Sequence, residues 1–149
     1  MKRVRWGLLS TARINRALIP VIRQSKRGEL VAVASRTAER ADAYAAEWEI
    51  PQSFGSYEAM IESNAVDAIY VSLPNHLHAE WVVRALQAGK HVLCEKPLAL
   101  SVDEVDRMAA AAEASGCVLA EAFMYLHHPQ TALLSEWVQS GRLGSLQLV

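Results

Sequence analysis

Cysteine is scarce in this 149-residue chain: there are two, Cys94 and Cys117, and neither belongs to a Cys-x-x-Cys pair. That excludes a disulfide framework and a thiolate metal cluster, and two free thiols suit a reducing, cytoplasmic setting. Neither sign of charge dominates, since 15 basic and 16 acidic residues leave a net charge of −1. A nucleic-acid partner would need a basic stripe, so none is expected. No apolar run approaches the ~20 residues of a membrane helix, so no membrane partner is expected either. The apolar stretch after the basic start is only Trp6 to Leu9, far short of the roughly 7–15 residues of an export signal. Internal repeats and low-complexity linkers are also missing. Glycine is sparse at seven residues, and that matters most after the first apolar run, where a glycine-rich turn would be diagnostic.

What is present is alternation. The chain is 52% hydrophobic, enough for one domain with a core. Short apolar runs at 4–10, 29–35, 52–54, 67–73, 91–94 and 117–123 read as six strands. Between them lie helical patterns: Ile14, Leu18, Val21 and Ile22; an alanine-rich stretch from Thr37 to Trp48; Tyr57–Glu62; and 75–88, with Asn75 as N-cap and Gly89 as stop. The last of these carries Leu77, Trp81, Val82, Ala85 and Leu86 on its apolar face. A Ser101-x-x-Glu104 capping box opens a helix expected to bury Val102, Val105, Met108, Ala109 and Ala112. A final helix spans Pro129 to Gln139. Pro20 is expected to bend the first helix. Strand-then-helix with unalternated apolar strands predicts an α/β fold, a doubly wound parallel sheet covered on both faces. Residues 1–125 would form that unit. Residues 126–149 would be a junction helix and, at 141–149, a turn and first strand of a second α+β domain otherwise cut away.

In such a sheet, ligands bind outside the carboxyl ends of the strands. Five segments rich in non-core residues would converge there: "STARIN", "SRT", "LPNHLH", "EKP" and "EAFMY". A dinucleotide site has G-x-G-x-x-G after strand one; here Ser10, Ala12 and Asn15 stand at those positions. Ser and Ala are small enough to let a phosphate approach the helix N-terminus, although an ordinary strand–helix turn reads the same way. After strand two no carboxylate appears before Glu39, where an NAD site would bind the ribose with an acid. Ser35 and Arg36, with Arg40, suit a 2′-phosphate instead, so NADP is favoured over NAD; a solvated arginine is the plainer alternative. His76-Leu77-His78 lacks a third ligand at suitable spacing, and no metal site is expected. Cys94 reads as a small buried hydrophobe, and His127-His128-Pro129 as a connecting loop.

Glu95-Lys96-Pro97, placed after strand five and about twenty residues past Asn75-x-x-His78, joins these pieces. The chain resembles the glucose–fructose oxidoreductase/inositol dehydrogenase (Gfo/Idh/MocA) family through "WGLLSTARIN", "VAVASRTAERA", "YVSLPNHLHAEWVVRALQAGKHVLCEKPLAL" and "EAFMYLHHPQ". The "STA" turn and "EAFMY" resemble its dihydrodiol and xylose dehydrogenase-like subgroup. The resemblance implies an NAD(P)-dependent oxidoreductase, NADP favoured, moving a hydride between nicotinamide and an alcohol or carbonyl carbon of a sugar, polyol or diol.

By the same resemblance Lys96 is catalytic, Glu95 helps hold the nicotinamide half, and Pro97 sets the turn. Ser10, Thr11, Ala12, Arg13 and Ile14 line the pyrophosphate; Ser35, Arg36 and Arg40 read the adenosine ribose; Ser72, Leu73, Asn75 and His78 flank the nicotinamide side. Family members run longer, with a second domain that binds substrate and forms homo-oligomers, so this chain is expected to bind cofactor and turn over weakly. They often carry arginine where Leu126 stands here. A non-catalytic dinucleotide-binding or sensing module is the alternative.

Overall fold

The computed structural model describes residues 2–147. Six strands, β1 (Val4–Leu9), β2 (Gly28–Ala34), β3 (Gln52–Phe54), β4 (Ala68–Val71), β5 (His91–Cys94) and β6 (Leu119–Glu121), form one parallel sheet in the order β3-β2-β1-β4-β5-β6. The order reverses between β1 and β4, which is the topological switch point. Helices α1 (Asn15–Gln24) and α2 (Ala38–Glu47) cover one face; α3 (Tyr57–Glu62), α4 (His78–Gln87) and α5 (Val102–Ser115) cover the other. Helix α6 (Pro129–Gln139) follows β6 and packs against a 3-10 turn at Met124–His127.

Because strand side chains alternate, adjacent residues serve opposite faces. Leu8 joins Ile19, Ile22, Val33 and Tyr70 under α1 and α2, whereas Leu9 joins Met60, Val82, Leu86 and Met108 under α3–α5. Each such fully buried side chain stabilises the fold by about 1.5–3 kcal/mol. Gly7 is needed for close approach: a Cβ there would lie 2.8 Å from Met60 Sδ and 3.0 Å from Val66.

Several expectations are corrected. Helix α1 turns Asn15, Ile19 and Ile22 inward and leaves Ile14 and Val21 exposed, because the sheet sits beside a face one residue round from the apolar stripe. Pro20 lies inside α1, as expected, and the helix continues to Gln24. Helix α5 buries Met108, with Ala111 and Ala112 partly covered, while Val102 and Val105 face solvent. Asn75 caps nothing: it starts a 3-10 turn (Asn75–Leu77), and α4 begins at His78 without a side-chain cap. Gly89 does stop α4, at φ +76°. Of the expected terminal strand, residues 145–147 form none, and 148–149 lie outside the described residues.

Candidate functional site

Strand register assembles the rim. Leu9 is level with Ala34 on one side and Val71 on the other, and Val71 is level with Cys94. The next residue on each strand therefore falls in one row: Ser35, Ser10, Ser72 and Glu95. Ser10 adopts φ +131°, a region in which only glycine is unstrained; holding it there costs about 1–3 kcal/mol. A closed polar ring offsets that cost. Ser10 Oγ accepts from the Ala12 N–H at 3.1 Å and lies 2.8 Å from Ser72 Oγ. Ser72 Oγ donates to Asn15 Oδ1 at 2.8 Å, and Asn15 Nδ2 donates back to Ser10 O at 2.8 Å. All three residues are buried. Three hydroxyl and amide side chains thus hold a turn that glycine would otherwise permit. Asn15 was absent from the expected site residues; its only sequence signal was its place in the glycine spacing.

Helices α2, α3, α5 and α6 are capped by their own Thr37, Ser56, Ser101 and His128 side chains. Helix α1 has no side-chain cap. Among the described residues, the backbone N–H groups of Thr11, Arg13 and Ile14 make no hydrogen bond within the chain, so an anion placed at this turn would find donors and a favourable dipole.

On one side of the turn lies a polar cavity of about 220 Å³ lined by Ser10, Thr11, Ala12, Ser35, Arg36, Arg40, Tyr57, Ser72, Leu73, Pro74 and Leu77. Arg36 and Arg40 are exposed and take part in no ion pair among the described residues. Tyr57, which the sequence did not single out, stands edge-on to Trp81 with ring centroids 5.0 Å apart. Burial raises its phenol pKa, partly opposed by the two arginines.

On the other side lies an apolar cavity of about 300 Å³ lined by Ile14, Ala17, Leu18, Val21, Tyr70, Leu93, Glu95, Glu121, Ala122, Phe123, Met124 and His127. Glu95 Oε1 accepts from the Tyr70 hydroxyl. The loop after Glu95 is held from two elements: Leu98 N–H donates to Glu121 Oε1 at 2.7 Å, and the His78 ring bridges Pro97 O at 2.9 Å and Leu73 O at 2.8 Å. The Lys96–Pro97 peptide is cis. Lys96 is exposed at the end of β5 and pairs with no carboxylate among the described residues. Burial pushes the Cys94 thiol up to about 12, so it remains a protonated core residue.

Of the expected site residues, Ser10, Thr11, Ala12, Ser35, Arg36, Arg40, Ser72 and Leu73 meet in the polar cavity, and Ile14 and Glu95 in the apolar one. Arg13 is exposed beside the α1 start, and Asn75 and Pro97 are exposed on their loops. His78 is fully buried with both ring nitrogens used by backbone carbonyls, so it ties two rim loops together instead of facing a ligand. A larger trough of about 670 Å³ between α4 and α5 gathers none of these residues.

A doubly wound sheet with an uncapped first helix at the switch point, flanked by one polar and one apolar cavity, defines the dinucleotide-binding class of α/β domain. Residues 4–123 match the model of the Gfo/Idh/MocA oxidoreductase family with an NAD-binding Rossmann fold, and the chain belongs to that family. It is 46% identical over 136 residues to a D-xylose 1-dehydrogenase (NADP+) from Haloferax volcanii, covering 91% of this chain and 42% of the relative. It is 34% identical to a bovine trans-1,2-dihydrobenzene-1,2-diol dehydrogenase, covering 98% and 44%. A 3-ketoreductase from Actinomadura kijaniata, solved with TDP-benzene and NADP, superposes with a TM-score of 0.86 at 39% identity, over 94% of this chain and 44% of that one. The chain thus spans less than half the length of these relatives. No helix among the described residues is long and apolar enough to cross a membrane.

Proposed function

We propose that this chain is the cofactor-binding part of an NADP-preferring oxidoreductase acting on an alcohol or carbonyl carbon of a sugar, polyol or diol. The supporting observation is the pair of unlike cavities on either side of the α1 N-terminus, one ending at two arginines that enter no ion pair among the described residues and the other at Glu95. The cofactor has the same division: a phosphorylated adenosine, a central diphosphate and a flat pyridine carboxamide. The residues present fit it. Arg36 and Arg40, with Ser35, would bind the 2′-phosphate; the Thr11, Arg13 and Ile14 N–H groups would hold the diphosphate; Ile14 and Glu95 would hold the nicotinamide half. Leu73 and Ser72 shape the floor between them, and Asn75 lies on the adjoining loop. Named NADP-linked relatives support the same cofactor choice.

Bound, the cofactor supplies the hydride chemistry; the chain supplies orientation and a proton-handling group. Lys96, on a loop braced by Glu121 and His78, would hydrogen-bond the reacting oxygen and stabilise charge developing there. Its ammonium gives a proton to that oxygen when a carbonyl is reduced, and its amine takes one when an alcohol is oxidised. We further infer that residues 1–125 form the Rossmann unit and 126–149 lead into a substrate-binding, oligomer-forming domain, in a cytoplasmic protein. Fluorescence titration with NADPH and NADH tests the reading. NADPH is expected to bind at least about tenfold tighter, as charge-assisted bonds to a phosphate would give; equal or tighter NADH binding would sink it.

A further inference from the structure

We propose that Tyr70 is a positioning residue for the nicotinamide half of the ligand: its hydroxyl holds the Glu95 carboxylate in one orientation inside the apolar cavity beside α1. The proposal rests on the functional reading above and adds a residue to it.

Tyr70 lies in the middle of the sheet, on β4, at 3% exposure. In "DAIYVSL" it looks like any core aromatic. The tertiary structure gives it two further roles. Its ring walls the apolar cavity, and its hydroxyl, a donor that burial would otherwise leave unsatisfied, bonds to Glu95 Oε1. Among the described residues, Glu95 Oε2 is touched only by the Lys96 N–H, at a long 3.3 Å. A carboxylate offers about four acceptor sites, so at least two stay open toward the cavity. The second carboxylate lining the cavity, Glu121, accepts the Leu98 N–H through Oε1, and no side chain of the cavity wall orients it among the described residues. Glu95 is the carboxylate that a wall residue, Tyr70, holds in one orientation. An apolar cavity with one fixed carboxylate oxygen matches an aromatic ring bearing an amide N–H donor, which is the chemistry of a pyridine carboxamide. Burial, followed by the bond to Glu95, holds the Tyr70 phenol pKa well above its ordinary value, so it stays a donor throughout the working pH range.

The test is a double-mutant cycle on this chain, read by equilibrium binding and not by turnover. NADPH and 2′,5′-ADP, which carries only the adenosine half, are titrated into wild type, Tyr70→Phe, Glu95→Ala and the double variant. Tyr70→Phe keeps the ring and its packing. It is expected to weaken NADPH about five- to tenfold, the worth of one bond to a charged group, and to leave 2′,5′-ADP unchanged. In the Glu95→Ala background, which has no acceptor for the hydroxyl, the same substitution should cost less than about twofold. An NADPH affinity unchanged by Tyr70→Phe would overturn the proposal. So would an equal loss in both backgrounds, or a parallel loss of 2′,5′-ADP, which would mark general damage to the sheet. If Tyr70→Phe folded poorly, Glu95→Ala alone would decide: no selective loss of NADPH over 2′,5′-ADP refutes the carboxylate's part and Tyr70's with it. Wild type binding neither probe would refute the parent reading, an outcome distinct from a wild type that binds both and a Tyr70→Phe that binds equally.

Discussion

The two ends of the sheet use their polar groups in opposite ways. At the amino end, Arg5 grips Asp67 through Nε at 3.0 Å and a terminal nitrogen at 2.6 Å, and its other nitrogen donates to Asn64 O at 2.7 Å. Lys90 donates to Ser63 O and Val66 O at 2.7 and 3.0 Å. These charges are consumed in closing loops. At the carboxyl end, Ser10, Ser72 and Asn15 are equally committed, yet what they fix is a turn whose Thr11, Arg13 and Ile14 N–H groups make no hydrogen bond, and whose neighbours Arg36, Arg40 and Lys96 enter no ion pair, among the described residues. Half-buried and buried charges closed onto neighbouring loops mark an end that only has to stay folded. A paired frame around unpaired groups marks an end prepared for a ligand.

That contrast can be broken, and the sharpest attempt is at Lys96. In a chain extended to the length of its relatives, Lys96→Ala should reduce turnover by about 10²–10⁴-fold, the range for a general acid–base group, with NADPH affinity within about twofold. Steady-state rates beside a titration would show it, and retained turnover removes Lys96 from the chemistry. Next in size, Arg36→Ala should weaken NADPH by about 10–100-fold, as loss of charge-assisted bonds implies, and leave NADH unchanged; equal losses would place Arg36 outside the 2′-phosphate site.

Ser10→Ala keeps the strained backbone and loses its hydroxyl bonds. It should cost about 1–3 kcal/mol in urea unfolding, whereas Ser10→Gly, which relieves the strain, should cost less. The reverse order would mean that the ring does not hold the turn. The smallest effect is expected at the amino end. The Arg5 guanidinium holds the Asp67 carboxyl well below the usual carboxylate range. Its folded pKa is the lower one, so its contribution is fully present above about pH 4 and drains away as pH falls toward the folded value. Asp67→Ala should lower the unfolding midpoint at pH 7, converge on wild type in strong acid, and leave NADPH binding alone. Weaker binding would mean the two ends are coupled.

Much of this was legible in order and period. Six apolar runs, each followed by a helical pattern, specify a parallel sheet, and in a parallel sheet the residues after each strand share one edge. That is why Ser10, Ser35, Ser72 and Glu95 fall at one rim on sequence pattern alone. Faces were less legible. Of the stripe Ile14–Leu18–Val21–Ile22, Ile22 is buried and Leu18 packs at the core's edge, but Ile14 and Val21 face solvent while Asn15 and Ile19 turn inward, with the polar Asn15 retained inside by bonds to residues 5 and 57 positions away. His78 looked like a ligand contact and is a brace between loops; Tyr70 looked like plain core and reaches a carboxylate on the next strand.

The sequence by itself determined the fold class, the strand order along the chain and which segments meet at the rim, since hydrophobic period and turn chemistry are local properties. Only the tertiary structure decided which side chains face the cavities and which brace them. Those roles depend on the rotation of each helix against the sheet and on hydrogen bonds between residues distant in the chain, and neither leaves a periodic trace in the amino-acid order.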